Sequence, residues 1–359
     1  MKNLISFALM TMAIAITFTA CHKDDTPPED PGFLYGAYVI NEGSFMSNNG
    51  SVSYIDLDSN YIVNNIFLAV NGRTPGDVVQ SFSVAGDKGL IVVNNSAKVE
   101  VVEMKTFISL GVITGCSYPR YTLPVTSDKV YLTNGSFAGN VYILDLAAMK
   151  ITDSIAVGNG PENMVRSGDY VFVANSGGWS HDSTVSVIDV NSDKVVKTIV
   201  TGDNPTDLAV DHNDDVWVLC KGNVVYDESW NIVSETDSRL QKIDHSTLEV
   251  TEDLVIGQKG DYFSPVRLTT ARQGALILYA EKAGVYAVQA DDPSLADTPL
   301  IPGSFYGLDT DPATGLIYVT DAKDFSSAGL LSRYSPNGVL QDTVQVGIAP
   351  NGVYFNRKP

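Results

Sequence analysis

The chain has 359 residues, with 42 acidic against 23 basic side chains and a formal net charge of -19 at neutral pH. Nucleic acid and anionic lipid surfaces both recruit clustered positive charge, so this balance argues against either as a partner. Three cysteines are too few for a disulfide framework.

The first twenty residues, MKNLISFALMTMAIAITFTA, carry one Lys and then an apolar run that ends at Thr19-Ala20-Cys21. This is the pattern of a secretory signal, removed on export, rather than of a membrane span. A small residue directly before a Cys resembles the lipobox of bacterial lipoproteins, which implies acylation of Cys21 and a lipid anchor. An ordinary signal peptide cleaved ahead of an incidental Cys is the plain alternative. Residues 21–32 are polar, acidic and rich in Pro, and are expected to form an extended tether. Within it, Lys23-Asp24-Asp25 looks like the export signal that sends Bacteroidota-type lipoproteins to the outer face of the outer membrane, although a solvated linker would read the same way. The expected location is therefore the outer membrane, lipid-anchored and exposed at the cell surface, with the membrane touched through the anchor only.

From residue 36 onward, short runs alternate apolar and polar residues between Gly, Asn, Asp and Pro, with no sustained helical period. TVSVID at 184–189 recurs as SVSYID at 51–56, KVEVVE at 98–103, NVYILD at 140–145, RLQKID at 239–244, GVYAVQ at 284–289 and GLLSRY at 329–334. These copies end at 56, 103, 145, 189, 244, 289 and 334, spaced by 47, 42, 44, 55, 45 and 45 residues. A period of roughly 40 to 50 residues is that of four-stranded propeller blades.

Each copy follows a strand such as DYVFVAN at 169–175, and most precede an outer strand such as VVKTIV at 195–200. A turn with Gly and often Pro then leads into a short inner strand, a unit that returns at 75–79, 119–123, 161–165, 205–209, 265–268, 304–308 and 350–354. The chain enters at the second strand of blade one, AYVI at 37–40, and leaves after VYF at 353–355. The C-terminal segment must then supply the inner strand of blade one, which closes the ring and hides the sheet edges. The expected fold is all-β, a seven-bladed β-propeller over residues 33–359. A row of sandwiches, at about 100 residues each, would not repeat at this period.

In a propeller the loops between second and third strands, and those from an outer strand to the next inner strand, open on one face around the channel mouth. The first set holds Phe45, Phe137, Trp179, His181, Tyr226, Trp230 and Phe325, and the second holds Tyr118, Tyr262, Phe263, Phe305 and Tyr306. Singly, each reads as a residue that covers a blade end. Together they form a stiff, partly polar surface suited to gripping a bulky ligand. Asp77, Arg120, Tyr121, Glu162, Asn163, Thr206, Asp207, Arg267 and Asn351 follow the turns and are expected to project toward the mouth, although local turn hydrogen bonds would also account for them. The expected ligand-binding set is Phe45, Tyr118, Arg120, Phe137, Asn163, Trp179, His181, Asp207, Trp230, Tyr262, Arg267, Tyr306 and Phe325. The insertion at 224–237 makes the longest loop, and long loops on rigid scaffolds often carry function.

Enzymatic readings have less to stand on. His22, His181, His212 and His245 fall at unrelated repeat positions without Zn-site spacing, and there is no phosphate loop or serine-nucleophile elbow. A calcium-dependent lactonase-like propeller would use Glu162, Asn163 and Asp207, but a further ligand from elsewhere in the ring is not apparent. A quinone-cofactor dehydrogenase shares the shape, and shape alone says little about activity. The expectation is a protein with no catalytic residues, no metal and no required cofactor. Cys116 and Cys220 are expected to be free or buried, a disulfide between them being conceivable in an oxidising compartment.

VFVAN at 171–175, followed by TVSVID, KVVKTI at 194–199 and GDNP at 202–205, resembles the YVTN (YncE-like) propeller repeat of surface-layer and periplasmic proteins. The likeness is close in blade four and looser in blades two, six and seven. Taken with the lipobox, the tether and seven blades, the whole chain is similar to the cobalamin-capturing (BtuG-like) surface propellers that cap a TonB-dependent outer-membrane vitamin B12 transporter. That resemblance rests on architecture, with no ligand-contact motif to align. It implies a corrinoid as ligand and the transporter as partner, with no catalysis. Arg120, Asn163, Asp207 and Arg267 would then face the corrinoid's amide side chains and phosphate, and His181 could meet its cobalt, although a simple polar role in its loop is the plainer reading. The rival is a structural or protein-docking propeller, which a flat aromatic face would favour over a concave one.

Overall fold

A computed structural model describes residues 32–257 and 267–358; the signal, the tether with Cys21, and Tyr262 and Phe263 lie outside them. Alternating β-branched and aromatic residues between turn residues give strands that pair locally. In blade four, Tyr170–Asn175 runs antiparallel to Thr184–Asp189 with Tyr170 opposite Asp189 and Asn175 opposite Thr184. Pro161–Ser167 completes this sheet on the channel side and Lys194–Val200 on the outside. Six further four-stranded sheets repeat the arrangement, so the fold is the expected seven-bladed β-propeller.

Closure follows the expected route. Pro350–Asn356 lies beside Gly36–Asn41 as the inner strand of blade one, with Ala37 opposite Phe355 and Val39 opposite Val353. Because side chains alternate across a strand, each blade feeds two cores. Ala37 and Val39 pack with Tyr318, Leu331 and Val346 of blade seven, whereas Tyr38 and Ile40 pack with Phe82 and Ile91 of blade two. The apolar core is thus seven clusters, one at each blade junction. Second strands are covered on both faces and read as apolar runs. Outer strands alternate; in Lys194–Val200 only Ile199 is buried.

The structure departs from the sequence reading in two places. A one-turn-plus helix, Ile66–Asn71, follows the outer strand of blade one, ended by Gly72 at φ 68° with its N–H donating to the Leu68 carbonyl. It buries Ile66 and Phe67 and is too short for any period to announce it. The insertion of blade five is not an open loop but a hairpin, Val224–Tyr226 paired with Ile232–Glu235. Cys116 and Cys220 are both free and buried, and burial pushes their thiols up to about 11 and about 12, out of the reactive range.

Candidate ligand-binding mouth

The side chains that reach the channel mouth do so because of β-bulges. In blade three Pro119 faces Asn134 and Thr122 faces Leu132, so Arg120 and Tyr121 together stand opposite one residue. Blade four does the same between Pro161 and Met164, which frees Glu162 and Asn163. Single-residue shifts release Gln80 in blade two, Thr206 in blade five and Asn351 in blade one. A bulge leaves its extra residue unpaired and re-aims the side chain. Repeated at the same height in five blades, it builds a polar ring.

The ring is cross-linked between blades. Arg120 Nε donates to both Glu162 oxygens at 3.1 and 2.9 Å, and its terminal nitrogen donates to Gln80 Oε1 at 2.6 Å. Burial works against the Arg120 charge, but Glu162 outweighs it and holds the guanidinium above its ordinary pKa. The side chain lies over Tyr118, 5.7 Å from the ring centroid, and beside Gly135, where an added Cβ would sit 3.0 Å from Arg120 Cγ. Deeper in the channel Asn163 donates to Asp207, which also accepts from the Leu208 and Leu268 amides at 3.0 and 2.9 Å. Burial still pushes the Asp207 carboxyl up, with Arg267 opposing. Arg267 Nε donates to the Asn351 carbonyl at 3.2 Å. Asp309 accepts from the Val353 amide at 2.7 Å, and its burial in the channel pushes it up to about 7.

Six of the thirteen expected residues meet in one recess. Phe45, Tyr118, Arg120, Arg267, Tyr306 and Phe325 line an open cavity of about 370 Å³ at the mouth. Tyr306 and Phe325 meet edge to face at 5.0 Å, and Trp179, 73% exposed, extends the wall from Tyr118 with ring centroids 6.1 Å apart. Two lining residues other than glycine hold left-handed backbone, Val78 at φ 57° and Phe325 at φ 58°. For a β-branched Val this is a strained conformation, of the kind that gathers at binding sites. Asn163, Asp207 and Arg267 line a narrower cavity of about 190 Å³ with Tyr121 and Asp309, down the channel from the first.

Other expected residues stand apart. His181 Nε2 lies 2.8 Å from Asp203, and neither lines the cavity. Phe137, 58% exposed, also lies off its wall. Trp230, 81% exposed, stands on the blade-five hairpin against Tyr226, 5.9 Å between centroids. Tyr262 falls outside the described residues. Glu162 and Asn163 spend their oxygens and amide on Arg120 and Asp207, and no group of three or more His, Cys, Asp or Glu among the described residues is arranged to hold a metal ion.

Sequence reasoning missed Glu42, Gln80 and Lys221, all of which line the cavity. Glu42 accepts from Tyr306 Oη at 3.0 Å and from Asn351 Nδ2 at 2.8 Å. Lys221 follows the strand Val216–Cys220, and burial together with the charge of Arg267 pushes its pKa below the ordinary lysine value. The repeat held the signal. The position after each second strand is Gly135 and Ser176 in blades three and four, whereas blades one and five place Glu42 and Lys221 there.

The chain belongs to the family described as a domain of unknown function (DUF5074), whose model matches residues 35–355. A comparison with curated protein sequences gives no match. Among solved structures, a quinonprotein alcohol dehydrogenase-like protein from Bacteroides thetaiotaomicron is similar at 15% identity and TM-score 0.66, covering 90% of this chain and 78% of that one. Hydrazine synthase from Kuenenia stuttgartiensis is similar at 16% identity and TM-score 0.57, covering 76% of this chain and 87% of that one. The computationally designed Ika8 protein is similar at 11% identity and TM-score 0.58, covering 90% and 92% respectively. At these identities the likeness establishes the propeller fold alone.

Proposed function

We propose that this propeller is a lipid-anchored surface protein that captures a corrinoid at its aromatic mouth and passes it to an outer-membrane TonB-dependent transporter. The observation that carries this reading is the convergence of Phe45, Tyr118, Tyr306 and Phe325 with Arg120 and Arg267 around one concave recess. Stiff aromatic walls supply contact area at low entropic cost, and the guanidiniums give orientation through hydrogen bonds. Concavity favours a small ligand over a docked protein surface. The Cys21 anchor and the tether would hold the mouth outside the membrane. In this reading the protein is a binding protein and not an enzyme, and the corrinoid is cargo. His181 Nε2 faces Asp203 and the residue lies off the recess wall, so this reading assigns it no contact with the cobalt.

The test is equilibrium titration of the purified protein with cyanocobalamin, repeated on Trp179→Ala. Tight binding weakened by the substitution supports the reading, and no binding at micromolar ligand removes it. A protein contact is favoured at a different place. The blade-five hairpin exposes Tyr226, Trp230, Ile232 and Val233 away from the recess. In this scheme it faces the transporter, and Trp230→Ala weakens that complex while leaving cyanocobalamin affinity unchanged.

A further inference from the structure

The counter-charges of the mouth are unevenly spent. Glu162 accepts from Arg120 through both oxygens, and Glu42 accepts from Tyr306 and Asn351. Asp207 is taken by Asn163 and two backbone amides. Lys221 lines the same recess as Arg120 and Arg267. Its backbone N–H donates to Asn204 and its carbonyl accepts from Ser238, but among the described residues no acceptor lies within hydrogen-bond distance of its ammonium. Partial burial and the charges of Arg267 and Arg120 act against the ammonium, Glu162 and Asp207 act for it, and the balance leaves it below its ordinary pKa. An ammonium with no hydrogen-bonded counter-ion is costly to keep unless a ligand supplies one. In a chain of net charge -19, three cations around one open cavity are not a by-product of composition.

We propose that the mouth holds an oxyanion subsite in which Lys221, flanked by Arg120 and Arg267, takes a phosphate group of the captured ligand. An ammonium presents three donors in a tetrahedral fan, which suits the several oxygens of a phosphate, and the two guanidiniums add positive charge at its flanks. The inference goes beyond the corrinoid reading, because a phosphomonoester and a phosphodiester would both satisfy it. It depends on that reading only in placing the phosphate-bearing ligand at this mouth.

Two probes separate the sources. Inorganic phosphate stands for a monoester and dimethyl phosphate for a diester, each titrated into the purified protein and followed by NMR. Saturable binding of at least one is expected, weakened at least about tenfold by Lys221→Met and retained in Lys221→Arg. An unfolding midpoint for Lys221→Met no lower than wild type shows that the loss is not one of folding. The proposal is overturned if neither probe saturates, or if Lys221→Met binds as the wild type does. Cyanocobalamin titrated in parallel keeps the two readings apart. Lys221-dependent phosphate binding without cyanocobalamin binding removes the corrinoid and leaves the subsite; cyanocobalamin binding indifferent to Lys221, with no phosphate binding, does the reverse.

Discussion

Lys242 and Lys221 belong to the same blade and sit at opposite ends of the propeller, and their surroundings differ in kind. Lys242, on the strand Arg239–Asp244, has Asp211 at 3.2 Å, Asp215 at 3.0 Å and the face of Trp217 with its centroid at 5.8 Å. Burial works against its charge, but those carboxylates outweigh it and raise its pKa. Lys221, at the mouth, has burial and the charges of Arg267 and Arg120 against it; Glu162 and Asp207 act for it without a hydrogen bond, and its pKa is lowered. At the lower end Lys242 is answered by two carboxylates within the chain. The mouth keeps one charge for something that arrives.

Lys242→Met should break the answered end most severely. It leaves the fully buried Asp211 and the mostly buried Asp215 without their cation, and the loss should be about 3 to 5 kcal/mol by denaturant unfolding. A value under about 1 kcal/mol would mean that the pair is solvated and that the contrast with Lys221 is one of appearance. Arg120→Met tests the mouth's own cross-link. It strands Glu162 and Gln80 and should cost about 2 kcal/mol of stability as well as ligand affinity. Trp179→Ala should separate these two quantities, with stability within about 0.5 kcal/mol of wild type and cyanocobalamin affinity reduced by about 2 kcal/mol, roughly thirtyfold.

The two ends were unequally legible in the sequence. Strand patterning and a period near 45 residues gave blades, closure and the lower-end turns, because burial between blades imposes the same apolar run seven times. The repeat also placed Phe45, Tyr118, Tyr306 and Phe325 on one face, where the structure brings them together. What it could not reveal was reach. His181, Phe137 and Trp230 sit on that face too, but a loop's course depends on Asp and Gly contacts that pattern does not encode; Gly177 and Gly178, at φ 84° and 60°, turn the Trp179 loop. Gln80 reaches the channel through a bulge, which is invisible without register. Lys221 carries no motif of its own, and only the fold shows that it lines the recess.

The same contrast runs along the strand of blade seven that lines the channel. Burial works against the Asp311 charge, but Arg357 and Thr314 outweigh it and hold its pKa below the ordinary value. Asp309, two residues earlier, has only the Val353 amide and the more distant Arg267 and is pushed up to about 7. A carboxyl whose folded pKa exceeds its unfolded value keeps its proton longer in the folded state. Its contribution is therefore present at low pH and is lost as pH rises from 3.8 toward about 7. Asp309→Asn should remove that loss and make the variant more stable than wild type at pH 8, on the order of 1 kcal/mol, with little difference at pH 4. Equal pH profiles for the two would mean that water reaches the carboxyl freely.

Lys221→Met carries the smallest expected change and the most informative sign. If the ammonium were part of a folding network, as Lys242 is, its removal would destabilise the protein as that of Lys242 does. If it is held without a partner for a ligand, its replacement by an apolar side chain of similar length relieves desolvation and repulsion from Arg267. Unfolding should then shift upward by up to about 1 kcal/mol while phosphate binding falls. Stability and binding that move in opposite directions on one substitution distinguish a residue retained for binding from one retained for folding. A fall in both would place Lys221 with Lys242 and leave the mouth without its anion subsite.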